Sequence, residues 1–138
     1  MNDLPPPPVI AQEVRVVDAA GRARIVLSAR DGVPTITLLR DDGKDGARLS
    51  LDGAGRPSVK LSNPLPDGPI ASLEIDDKGA HARFDRPGSA SSYLFLNNAG
   101  VSGVILIDPA GKRRVAATVA ADGTSKIERL DDAGVPLP

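Results

Sequence analysis

Hydrophobic residues in this chain come in pairs two positions apart. Ile25/Leu27, Ile36/Leu38, Leu49/Leu51, Val59/Leu61, Leu73/Ile75, Ala82/Phe84 and Leu94/Leu96 follow one another, with Val14/Val16 ahead of them and Val115/Ala117/Val119 behind. The positions between are mostly polar, among them Arg15, Thr37, Arg48, Ser50, Ser58, Lys60, Ser72, Glu74 and Arg83. Alternation at period two marks a strand with one apolar and one wetted face, and the i, i+3, i+4 spacing of a helix is scarce. The pattern predicts eleven short strands, near residues 12–17, 24–29, 34–39, 47–51, 58–62, 70–75, 81–84, 92–97, 103–107, 113–120 and 125–130.

What separates the bursts is equally regular. Glycines stand at 21, 32, 43, 55, 68, 79, 88, 100, 111, 123 and 134, with only Gly46, Gly53 and Gly103 off this ladder. Seven rungs read Asp/Asn-x-x-Gly, as in Asp18 to Gly21 and Asp108 to Gly111, and four read Asp-Gly directly, as in Asp31-Gly32. Asp or Asn at the first position of a type I turn accepts backbone N–H bonds, and glycine at the fourth tolerates a left-handed conformation. Such a turn closes hairpins. Asp108-Pro109-Ala110-Gly111 is therefore read as a bend, not a site; Pro87, third from Asp85, predicts an irregular turn there.

Turns of this kind favour antiparallel neighbours, so the expected fold is all-β, a repetitive antiparallel meander spanning residues 12–131. A parallel solenoid of 22-residue coils and a closed up-and-down barrel are the alternatives; a barrel requires the strands around Val14 and Ile127 to pair. Residues 1–11, with prolines at 5 to 8, read as a stiff tether, and 132–138 as a short tail. A flat eleven-stranded meander would be roughly 50 Å wide with one apolar face bare, to be covered by closure, folding over, or other copies of the chain.

Composition sharpens that choice. The only aromatics are Phe84, Tyr93 and Phe95, so a core of Val, Leu, Ile and Ala would be thin. Association of copies, a trimer above all, is the expected remedy. Two segments, "SSYLFLN" and "GVILID", are apolar on both faces, with Tyr93, Phe95, Val104 and Leu106 expected to oppose Leu94, Leu96, Ile105 and Ile107. They supply the candidate interface: Tyr93, Leu94, Phe95, Leu96, Val104 and Leu106, since aromatic anchors are enriched at such surfaces.

Charge adds little. Seventeen basic residues face eighteen acidic ones, a net of −1, which offers no general attraction to nucleic acid or an anionic membrane. No apolar run spans a bilayer and the first residues lack the pattern of a secretory signal, so a cytoplasmic product, or one exported without a cleavable signal, is expected.

Candidate chemistry is thin as well. With no cysteine, disulfides and thiolate sites are excluded. His81, the single histidine, falls on the polar side of its strand, with Asp76 and Asp77 as conceivable partners. Asp41-Asp42-Gly43-Lys44-Asp45-Gly46 resembles a calcium loop only in its acids; it lacks the spacing and closing glutamate of an EF-hand. Lys112-Arg113-Arg114 is a short basic run at a strand start, and no phosphate-binding glycine motif accompanies it. The expectation is a structural or interaction module with no catalytic, cofactor or metal site, self-associating and attached to a larger assembly through its leader. A monomeric barrel or sandwich carrying a small apolar ligand stands second, and an enzyme acting on carbohydrate third.

Overall fold

The computed structural model describes residues 7–138. Eleven strands follow one another: β1 (Glu13–Val17), β2 (Ala23–Ser28), β3 (Thr35–Leu39), β4 (Asp45–Leu51), β5 (Pro57–Leu61), β6 (Ile70–Asp76), β7 (Gly79–Asp85), β8 (Ser91–Asn97), β9 (Ser102–Ile107), β10 (Arg113–Val119) and β11 (Ser125–Arg129). They form one sheet in sequence order, every neighbour antiparallel. The meander stands, and both alternatives fall. A solenoid needs parallel coils, and a barrel needs β1 to pair with β11, yet the sheet is open at both. Of the leader, residues 1–6 lie outside the described residues; 7–11 are exposed and carry no strand.

Turn chemistry explains the succession. At Asp18 the backbone carbonyl accepts from Gly21 N–H at 2.9 Å, and Asp18 N–H donates to the Arg22 carbonyl at 2.9 Å. The Asp18 carboxylate accepts from the Ala20 and Arg22 amides. The same double bond recurs at Asp52, Asn97, Asp108 and Asp131. The Asp-Gly turns at Gly43 and Gly123 begin on Arg40 and Ala120 instead, with the aspartate third and accepting from the residue after the glycine. The positive-φ glycines are those of the ladder, except that Asp67 (φ 55) takes the place of Gly68.

Beside Pro87 the turn shifts by one residue. Arg86 carbonyl accepts from Ser89 N–H, so Pro87 occupies the second turn position and Gly88 (φ 66) the third, the sequence preference of a type II turn. After β11, the Asp131–Gly134 turn carries the tail back along the sheet. Leu130 bridges Pro136, and Leu137 N–H donates to the Arg129 carbonyl.

The sheet is a single layer. Among the apolar side chains of the described residues only Ile105 (3% exposed) and Ala116 (9%) are buried.

Candidate functional site

Because side chains alternate along each strand, register decides what shares a face. Val14 faces Leu27, Leu27 faces Ile36, and Ile36 faces Leu49. The same row continues through Val59, Leu73, Ala82, Leu94, Val104 and Ala117 to Ile127. One unbroken apolar row thus crosses all eleven strands, one side chain from each.

Two further rows flank it on the same face. One runs through Ile25, Leu38, Ala47, Leu61, Ala71, Phe84, Ser92 and Leu106. The other carries, strand for strand from β2 to β9, Ala29, Pro34, Leu51, Pro57, Ile75, Ala80, Leu96 and Ser102. Each of these eight strands has one large and one small flank. Among the described residues no second layer covers this face. Leu73 is 57% exposed, Leu94 58% and Phe84 60%, and nearly all the exposed large apolar residues of the strands lie here. At the β1 end Val14, Leu27, Ile36, Leu49 and Leu51 line an open apolar groove of about 570 Å³.

The opposite face is the more buried of the two. Its strand side chains include Arg15, Arg48, Lys60 and Arg83, and the buried Thr37, Ile105 and Ala116 lie on it with them. Tyr93 and Phe95 sit here with ring centroids 5.8 Å apart. Phe95 lies over Gly103, where an added Cβ would come within 3.0 Å of its ring, and Tyr93 pairs across the strands with the buried Ile105.

The six candidate interface residues therefore divide. Leu94, Leu96, Val104 and Leu106 share the uncovered face, whereas Tyr93 and Phe95 belong to the other with Ile105 and Ile107. The expected grouping of Val104 and Leu106 with the aromatics is corrected by the Asn97–Val101 turn, which sets Leu94 opposite Val104. Nor are these two strands covered on both sides within the chain, since Leu94 and Leu96 remain exposed.

The titratable residues are drawn into the turns. Arg56 spans Asp52 (2.7 Å) and Asp77 (2.8 Å), and Arg114 spans Asp108 (2.6 Å) and Asp132 (2.5 Å). Arg24 reaches Asp41 and lies 3.9 Å from Asp18. Each arginine thus joins a turn to the next one along the same margin of the sheet. Elsewhere Arg40 donates to the Asn63 carbonyl and Asn98 to the Asp77 carbonyl, joining further turns. Backbone N–H donors hold the Asp18, Asp52 and Asp108 carboxyls below their ordinary value, led by those of Arg22, Arg56 and Lys112. Arg56 and Arg114 are raised, first by the side chains of Asp52 and Asp108.

His81 meets Glu74, its cross-strand partner, at 3.3 Å, and not Asp76 or Asp77. Asp76 caps its own turn and Asp77 pairs with Arg56. In the acidic loop Asp41 engages Arg24, Asp42 the Lys44 amide, and Asp45 Arg48, so each carboxylate is turned to a different partner. Among the described residues no three of His, Asp and Glu gather as a metal site would require, and no helix is long and apolar enough to cross a membrane. Comparison of the chain with protein-family models, curated proteins and solved structures finds no match.

Proposed function

We propose that this chain is a non-enzymatic structural module that associates with copies of itself through the apolar face of its sheet, with the proline-rich leader as the tether to a larger assembly. The carrying observation is the row from Val14 to Ile127, continuous across eleven strands and uncovered. Magnitudes support the reading. The chain exposes 9955 Å² at 14.3 kDa, where a compact monomer of that mass would expose roughly 6,800 Å². Eleven strands at about 4.8 Å, each some five residues long, give a face of roughly 50 by 17 Å, or about 850 Å². Monomers rarely leave more than about 300–600 Å² of contiguous apolar surface open. The face is instead close to the ~800 Å² that each partner contributes to a standard interface.

A trimeric shaft, its walls enclosing the apolar rows, is the arrangement we favour; a two-copy sandwich is the other closed form. Light scattering behind a sizing column tests both. A mass near three times 14.3 kDa is the expected result. Twice that mass would retain self-association and remove the trimer, and a monomer at all concentrations would overturn the proposal.

A further inference from the structure

We infer that the copies meet strand for strand, each β-strand facing the same strand of its neighbour about an axis that crosses the strands. This rests on the self-association proposed above and adds the mutual orientation of the partners. The observation behind it is the size pattern of the two flanking rows.

Rotation about an axis along the central row, twofold or threefold, brings the first flank of one copy against the second flank of the next at the same level. At every level from β2 to β9 a large side chain then meets a small one. At β6 Ala71 meets Ile75, at β7 Phe84 meets Ala80, and at β8 Ser92 meets Leu96. Interiors and interface cores pack at crystal-like density, so bulk against bulk forces strain and small against small leaves a void.

The alternatives fail on those terms. If the partner is reversed end for end, β1 over β11, each flank faces its own kind: Leu61 meets Phe84 and Ala71 meets Ala71. A slip of one strand is no better, setting Phe84 on Leu96 and Ala71 on Ala80. Of the three, only the matched arrangement fits large to small along both flanks from β2 to β9. The central row, with Ala82 and Ala117 among Val, Leu and Ile, sets like on like in the matched pair, so the two flanks alone discriminate. A second copy of this chain is therefore the occupant whose surface the face is shaped for.

The absence of native cysteine makes the orientation readable by cross-linking. Val14 in β1 and Ile127 in β11 lie on the central row at opposite ends of the sheet, about 48 Å apart at ~4.8 Å per strand. Val14→Cys and Ile127→Cys chains would be treated with a short bifunctional maleimide, separately and after mixing through unfolding and refolding, with the mass of each followed by light scattering. The matched arrangement gives covalent dimers of each variant alone and none joining one variant to the other. Links only between the two variants would establish the reversed arrangement and overturn this inference while leaving self-association standing. Oligomers without any link would also overturn it. Monomeric mass for both variants and for the unsubstituted chain would remove the self-association proposal as well.

Discussion

A single aspartate at the head of a turn does several jobs at once. The Asp108 carboxylate accepts from the Ala110 and Lys112 amides and receives the Arg114 guanidinium at 2.6 Å. It caps donors that the tight bend leaves without partners, and its charge anchors an arginine that reaches the next turn, at Asp132. Three residues on, Gly111 adopts φ 77, and no atom beyond its own chain neighbours lies within 4 Å of where a Cβ would stand. Crowding is therefore absent, and the penalty for a side chain is conformational alone. Gly111→Val is expected to lower stability by about 1–2 kcal/mol, the cost of a β-branched residue in the left-handed region. Denaturant unfolding would measure it. A neutral substitution would show that the hairpin from β9 to β10 does not need the left-handed residue.

Turns and strands together form the next scale, and here acid should act. A carboxylate whose folded pKa lies below its unfolded value contributes stability that is fully present well above the unfolded pKa, and that is lost as pH falls through the folded one. Asp18, Asp42, Asp52, Asp76, Asp108 and Asp122 all lie below their ordinary 3.8, each led by a backbone N–H of its own turn. Melting temperature should thus stay level from neutral pH to about 5 and fall below about 4 as the turns lose their caps. Asp52→Asn, which retains an acceptor and removes the charge, should shrink that acid dependence by its share. A melting temperature unchanged down to about pH 2.5 would mean that the carboxylates are not what closes the hairpins.

The strands and bends at this scale were legible from glycine spacing and period-two alternation, to within two residues at every strand end. Pairings across the sheet were not. His81 meets Glu74 because the Asp76–Gly79 turn sets their register, and the alternation pattern carries no count of residues consumed by a turn. The same blindness put Val104 and Leu106 on the wrong face. Arginines that join successive turns on one margin escaped notice for a related reason. Arg56 and Asp77 are separated in sequence by two full strands and the turn between them, and only the meander brings them together.

For the whole molecule, the sequence already implied an uncovered apolar face, since eleven half-polar strands cannot bury one another in a single layer. Its large-and-small flanks became readable only once register tied Phe84 to Ala71 and Ser92, and Ala80 to Ile75 and Leu96. That asymmetry between the faces yields a sharp contrast at adjacent residues. Leu73 stands at the sixth position of the central row and Ser72 beside it on the opposite face. In an isolated sheet Leu73 is 57% exposed, and Leu73→Asp would be an ordinary surface change, within roughly 0.5 kcal/mol. Between copies the same carboxylate would be buried without a partner, a cost of several kcal/mol that dissociates the assembly. Mass and melting temperature measured over a hundredfold range of concentration separate the two cases, because stability coupled to association rises with concentration. The expected outcome is a concentration-dependent melt for the unsubstituted chain and for Ser72→Asp, and a monomeric, weakly folded Leu73→Asp. If Leu73→Asp melts and sizes like Ser72→Asp, the two faces are equivalent in solution, and the apolar row is not the surface through which this sheet is completed.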